Sequence, residues 1–257
     1  LISTYGDNFL KYINPVTGKI HSDFSQCFTA TGRLSSSNCN MQNIPAIKEI
    51  RQCFVPDSED YVFVDVDLSN QELRLAASYS QDQALLDNFN KGLDLHSFLA
   101  QDTHRIITGD PSYIVSKEIN GELRDNHKPV LFGFLFAAGP SRIAAVLNID
   151  TDTAKKVYQK LRSNLKALSQ YQDKIKRKVV NNQEIRCGSK INRIRRFNWF
   201  TKKMSEDYEV EKEGCNFPIQ ASAASMLKEA TIAVHNYILT QPDCSIKLSV
   251  HDELVVQ

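Results

Sequence analysis

Apolar and polar positions change period several times along the chain, and each change marks an element. The run Tyr61-Val62-Phe63-Val64-Asp65-Val66-Asp67 is rich in β-branched and aromatic residues. It alternates apolar with acidic towards its end, as expected of a strand that carries a carboxylate to its tip. From Gln71 to Ser80 the pattern becomes helical. Across 82–181 apolar residues recur three and four apart, most clearly in 144–161, with Gly, Pro and Asp at the breaks, which predicts a mostly α-helical region. Another long helix is expected over 221–239, entered after Pro218. Two β-type runs, 246–250 and 254–256, then flank His251-Asp252-Glu253 as a strand, turn and strand with acids at the turn. Residues 1–32 read as loops and short strands, with turn chemistry at Asn14-Pro15-Val16-Thr17-Gly18. No internal repeat or low-complexity tract interrupts the pattern. The predicted class is α+β, an antiparallel-sheet unit built from both ends of the chain around a mostly α-helical insertion.

With 257 residues and 42% hydrophobic content, the chain can bury a substantial core. No apolar run approaches the ~20 residues of a membrane span, and the amino end lacks the basic-then-apolar order of a signal peptide. The expectation is a soluble, non-secreted protein acting in the cytoplasm or at the nucleoid, or a viral protein acting in its host. Six cysteines, at 27, 39, 53, 187, 215 and 244, form no Cys-x-x-Cys spacing and read as reduced structural thiols. The net charge of +1 is uninformative, but 174–203 holds eleven Lys/Arg against the single acid Glu184. That surplus suits phosphate contacts; a solvated helical face is the other reading.

Three constellations carry candidate chemistry. Asp67 and Asp252 sit at the tips of elements, and transfer of a phosphoryl group by two metal ions needs carboxylates converging from separate elements, because Mg²⁺ takes hard oxygen ligands. Solvated turn acids remain the alternative. Arg124, Lys128, Phe132 and Phe136 lie four apart, on one helical face, where a guanidinium fork, a mobile ammonium and two rings could grip a triphosphate and stack on a base. Taken alone, the stripe is better read as an amphipathic helix with a wet basic end and a buried aromatic end, and Pro129 predicts that this helix starts or bends there. The loop Thr31-Gly32-Arg33-Leu34-Ser35-Ser36-Ser37-Asn38, followed by Asn40-Met41-Gln42-Asn43-Ile44-Pro45, has the amides and hydroxyls of a backbone-hugging nucleic-acid loop or of an ordinary polar one.

Taken in order, these segments resemble family A DNA polymerases of the DNA polymerase I type, over essentially the whole chain. Asp67-Leu68-Ser69-Asn70-Gln71-Glu72-Leu73-Arg74 resembles that family's motif A. Arg124, Lys128 and Phe132-Gly133-Phe134-Leu135-Phe136-Ala137 resemble motif B, and Val250-His251-Asp252-Glu253 resembles motif C. Gly92-Leu93-Asp94-Leu95-His96 and Asn216-Phe217-Pro218-Ile219-Gln220-Ala221 add supporting matches. The resemblance implies an antiparallel-sheet palm, residues 1–81 and 205–257, with fingers inserted at 82–204. It implies template-directed DNA synthesis from dNTPs on primer-template DNA, with two Mg²⁺ ions, or Mn²⁺, held by Asp67, Asp252 and the carbonyl of Leu68. Arg124, Lys128 and His96 would bind the triphosphate, and Lys128 would also protonate the leaving pyrophosphate. Phe132 and Phe136 would stack near the incoming nucleotide, and Glu72 would exclude a 2′-hydroxyl. Arg33, Gln42, Asn43, Asn216, Gln220 and His251 would contact DNA, with Glu253 supporting the metal site.

The chain departs from the family pattern at Leu68, Gln71, Phe136, Ala137, Lys212 and Ser225. Phe136 lacks the phenol of the usual tyrosine, and Ala137 stands where glycine is usual. The resemblance further implies a monomer whose thumb, and any exonuclease domain, lie outside these residues, with a correspondingly weak grip on duplex. Two other classes remain: a polymerase-like DNA-binding protein without catalysis, and a two-metal hydrolase, which would need neither the Arg124 stripe nor a steric gate.

Overall fold

The computed structural model describes residues 7–45, 47–188, 190–197, 207–241 and 243–257. In chain order the elements are α1 (Asp7–Leu10), β1 (Asp23–Ser25), β2 (Ser35–Ser37), a 3-10 turn (Met41–Asn43), α2 (Lys48–Arg51) and β3 (Val64–Asp67). Next come α3 (Gln71–Ser80), α4 (Gln83–Asn90), α5 (Leu95–Thr108), α6 (Lys117–Leu135), α7 (Pro140–Leu147), α8 (Thr151–Asn164) and α9 (Lys166–Asn182). Last are β4 (Glu184–Arg186), β5 (Ile194–Arg196), α10 (Asp207–Ile238), β6 (Ile246–Val250) and β7 (Glu253–Val256). The class is α+β, and the chain divides into two compact units, Leu1–Ser69 with Gln220–Gln257, and Asn70–Ile219. No described helix is long and apolar enough to cross a membrane, and all six cysteines are free.

The first unit is organised by a three-stranded antiparallel sheet in the order β3-β7-β6. β3 is an edge strand whose four residues are all exposed, so its conformation rests on the ladder to β7 and on valine content rather than on burial. It is shorter than the predicted run, beginning at Val64. The hairpin also differs from expectation. Its turn is the pair His251-Asp252, and Glu253 is already the first residue of β7, paired with Val250 on one side and Asp67 on the other. His251 takes φ +52, a left-handed conformation that costs a non-glycine residue about 1 kcal/mol. Beside the sheet, Asn40 caps the 3-10 turn by accepting from the amide of Gln42 at 3.0 Å. Asp57 joins Lys19 and Lys247, each at 2.7 Å, and the two ammonium groups hold its carboxyl well below the ordinary range.

The second unit is helical around one core that includes Leu73, Leu85, Leu131, Phe134, Leu161 and Leu168. Polar side chains close the helix ends that this core buries. Asp82, itself buried, accepts from Ala84 N at 3.1 Å and from Leu168 N at 3.0 Å, so one carboxylate serves the N-termini of both α4 and α9. Gln172 donates to the carbonyls of Phe134 and Leu135 at 2.8 and 3.1 Å, satisfying the C-terminus of α6.

Several helical expectations require correction. The 144–161 stretch is two helices, α7 and α8, separated after Asn148, which adopts φ +52. α6 runs through Pro129 without starting there; its kink is at Asn120, whose φ of −150° and ψ of 57° leave the helical region. The β4–β5 hairpin lies just beyond the 82–181 stretch read as helical: Gln183, at φ +53, ends α9 and turns the chain into it.

The largest correction is α10, which is one 32-residue helix containing Pro218 rather than a helix that begins after it. A proline in a helix interior costs about 3 kcal/mol. Here Gly214, Cys215, Phe217 and Ile219 around it are all buried, and that packing offsets the cost. Gly214 permits the contact, since a Cβ there would lie 2.5 Å from Cγ2 of Val179 on α9. Gly214→Ala is therefore expected to lower unfolding free energy by about 1–3 kcal/mol, read from urea denaturation. An unchanged midpoint would show that the approach is not close.

The basic run is less unbalanced in three dimensions than in sequence. Lys176 pairs with Glu211 at 3.5 Å, Arg195 with Glu213 at 2.9 Å, and Arg186 and Arg196 with Glu184 at 3.5 and 3.8 Å. Its last residues, 198–203, and the expected boundary at 204/205 lie outside the described residues.

Candidate active site

In the sheet-bearing unit, pairing of β3 with β7 sets Asp67 directly opposite Glu253. The amide of Leu68 donates to the carbonyl of Asp252 at 3.2 Å, tying the exit of β3 to the hairpin turn. Asp67, at the end of β3, and Asp252, in the β6–β7 turn, thus arrive at the same end of one sheet. Asp67 is exposed, yet partial desolvation raises its pKa, and the charges of Asp252 and Asp65 raise it further. Glu253 is pushed up in the same way, by burial and by Asp65, Asp67 and Asp252, with Arg51 opposing. Carboxylates that raise one another's pKa are relieved by a divalent cation.

The donor set suits Mg²⁺, which takes one or two carboxylates plus carbonyl, water and phosphate oxygens. Among the described residues no group of three or more His, Cys, Asp and Glu side chains converges on a metal position. The expected set, two carboxylates and a carbonyl, lies below that number.

In the helical unit the expected phosphate-binding side chains meet at the start of α5 and along α6. Asp94 caps α5, accepting from the amide and hydroxyl of Ser97 at 3.1 and 2.7 Å. The guanidinium of Arg124 grips the same carboxylate through Nε at 2.8 Å and Nη2 at 3.0 Å, while Nη1 reaches Asp125 at 2.9 Å. Lys128 Nζ lies 2.8 Å from that Asp125 carboxylate. Partial burial works to raise the pKa of Asp94, but the bonds from Arg124 and Ser97 outweigh it and hold the group well below the usual carboxylate range. Arg124 is correspondingly raised by Asp94.

His96 stands in the first turn of α5, its ring centroid 6.4 Å from that of Phe132. Burial lowers its pKa, with Arg124 and Lys128 adding to the effect against Asp94 and Asp125, which favours the neutral ring. Phe132 is partly buried against the core, as is Phe136, which ends α6. Ala137 follows at φ +57, with its amide on Phe134 O at 3.0 Å and the amide of Ala138 on Gly133 O at 2.8 Å. That is the helix-ending pattern in which glycine is favoured, and alanine costs about 1 kcal/mol there.

The other expected residues are more dispersed. Glu72 is half-buried in the first turn of α3, after Asn70 at φ +53. Gln42 Nε2 donates to Ser249 O at 3.4 Å, so the 3-10 turn leans on β6. Arg33 lies just before β2, Asn43 ends the 3-10 turn, and His251 is exposed at the hairpin tip. Asn216 and Gln220 are four apart on α10 and so share a face, and Asn216 Oδ1 is buried without a partner among the described residues. Sequence reasoning missed Asp94 and Asp125, the two acids that orient Arg124 and Lys128. The available signal was Asp94 itself, an N-cap residue immediately before a helical pattern. Asp65, two residues from Asp67 on the same strand face, was missed as well.

The whole chain, residues 1–257, matches the family model for DNA polymerase family A. The DNA polymerase I of Geobacillus stearothermophilus is 32% identical over all of this chain and 29% of its own length. That of Helicobacter pylori is 30% identical, again over all of this chain and 28% of its own length. The chain thus spans under a third of the curated relatives it matches. A solved structure described as the POL domain of Pol1 from M. smegmatis in complex with DNA primer-template and dNTP superposes with a TM-score of 0.85. The identity is 30%, and the match covers 98% of this chain and 44% of that one. By sequence over its full length, and by fold, this chain belongs to DNA polymerase family A.

Proposed function

We propose that the chain carries out template-directed DNA synthesis, transferring a nucleotide from a dNTP to a primer 3′-hydroxyl with release of pyrophosphate. The observation that carries this reading is the pair Asp67 and Asp252, delivered to one end of a sheet in a chain whose other unit presents Arg124, Lys128 and His96 together. The palm is then residues 1–81 and 205–257, and the fingers are residues 82–204. Asp67, Asp252 and the Leu68 carbonyl would hold two Mg²⁺ ions, or Mn²⁺. When bound, such ions neutralise phosphate charge and favour the ionised 3′-hydroxyl.

The protein's own groups do the rest. Arg124 offers phosphate a planar fork already oriented by Asp94, and Lys128 offers a mobile charge that can pass a proton to the departing pyrophosphate. His96, in its neutral form, donates a single N–H. Phe132 and Phe136 provide ring faces for the nucleotide. Arg33, Gln42, Asn43, Asn216, Gln220 and His251 supply the donors and acceptors that primer and template strands need.

The deciding experiment is extension of a labelled primer on its template by the full-length protein with Mg²⁺ and dNTPs. Growth by complementary nucleotides is expected; primer shortening would mark a hydrolase, and binding without growth a non-catalytic protein. The role of Glu72 as the sugar gate has its own test. Glu72→Ala is expected to narrow the preference for dNTP over ribonucleotide about tenfold in kcat/KM, and an unchanged ratio would remove the assignment.

A further inference from the structure

A small cavity of about 10 Å³ lies among α5, α6 and α8, walled by Leu99, Leu131 and Leu161 and carrying three polar residues, His96, Thr103 and His127. His127 is 6% exposed. Its Nδ1 lies 2.7 Å from the carbonyl oxygen of Leu123. A carbonyl only accepts, so Nδ1 carries the hydrogen, and in the neutral ring Nε2 is an acceptor. That Nε2 is buried with no hydrogen-bonding partner among the described residues. An unpaired buried acceptor costs roughly as much as a lost hydrogen bond, and a space of this size, with His96, Thr103 and His127 set in an otherwise apolar wall, suits one water.

We propose that His127 positions His96 through one ordered water in this cavity, so that His96 presents its N–H outward to a phosphate oxygen of the incoming nucleotide. The proposal rests on the reading of His96 as a triphosphate ligand. The water donates one hydrogen to Nε2 of His127 and the other to the inward nitrogen of His96, with the Thr103 hydroxyl as its third partner. A neutral imidazole carries one hydrogen, so acceptance at the inward nitrogen leaves the outward nitrogen as the donor. His127 touches no substrate; it acts only through the tautomer of its neighbour.

The test uses the full-length protein labelled with ¹⁵N-histidine, in which long-range proton–nitrogen spectra report each ring's tautomer. His96 should be a single neutral tautomer in the wild type and a mixture in His127→Phe, which keeps a ring but removes the acceptor. In the same variant KM for dNTP should rise about two- to threefold, as the donor tautomer falls to a fraction of the population, with kcat within about twofold. His127→Gln, whose side-chain carbonyl can accept from the same water, should recover most of the change. An unchanged His96 tautomer in His127→Phe, or a glutamine variant no better than phenylalanine, would overturn the proposal. If His96→Ala leaves KM for dNTP unaltered while the tautomer still responds to His127→Phe, the triphosphate role of His96 falls and the coupling between the rings stands.

Discussion

Asp252→Asn in the full-length protein is expected to lower kcat for nucleotide addition by on the order of a thousandfold or more, while its Kd for primer-template DNA stays within about threefold of the wild type. Asparagine keeps the size of the side chain and one oxygen, but it removes the charge that makes this oxygen a strong ligand for a hard cation. The loss is separable from misfolding by its sign on stability. Asp67 has a raised pKa in the fold, partly because Asp252 repels its ionised form. A carboxylate whose folded pKa exceeds its unfolded value binds more protons when folded, so native stability falls as pH rises from the unfolded value through the folded one. Removing the Asp252 charge withdraws one contribution to that shift. The variant should therefore melt at the same temperature as the wild type or slightly higher at neutral pH, while being nearly inactive. Single-turnover extension and thermal melting check the two halves, and near-normal extension would remove Asp252 from the reaction.

Arg124→Ala is expected to raise KM for dNTP about a hundredfold, corresponding to loss of a bidentate, charge-assisted contact. Arg124 is 14% exposed and bonded through Nε and Nη2 to Asp94 and through Nη1 to Asp125, which leaves one N–H on each terminal nitrogen for phosphate. Its guanidinium is thus held in orientation before any ligand arrives, which reduces the entropy lost on binding phosphate. Arg124→Lys should recover the charge but not the fork, and so fall between alanine and the wild type. Because Asp94 also caps α5, the alanine variant will lose some stability. Kinetics should therefore be measured at a temperature where melting shows every variant folded. A KM equal to the wild type in Arg124→Ala would exclude this side chain from triphosphate binding.

Much of the local structure was legible because it depends on local periodicity. Gln71–Ser80 and Ile246–Val250 occur with the predicted bounds, since each combines a clear period with a definite stop. What escaped depends on partners distant in sequence. Nothing near Pro218 announces that Gly214 will meet Val179 and carry the helix through the proline. Likewise Glu211 and Glu213, which neutralise part of the basic run, lie beyond its end. At the candidate site, position at element tips made Asp67 and Asp252 candidates, only the family resemblance singled them out, and strand pairing brought them to one end of the sheet. Periodicity also put Arg124 and Lys128 on one helix face, but it could not reveal the carboxylates that orient them. Asp94 was visible only as part of a motif, and Asp125 lies one position off the stripe, where a helical-face pattern does not look.

The most direct test of the central claim is divalent-ion binding by the two carboxylates, measured by electron paramagnetic resonance as the depletion of free Mn²⁺ by the full-length protein with primer-template DNA and dNTP. The account predicts that the wild type sequesters Mn²⁺ and that Asp67→Asn and Asp252→Asn each weaken its binding at least about tenfold. Equal sequestration by the wild type and both variants would contradict it.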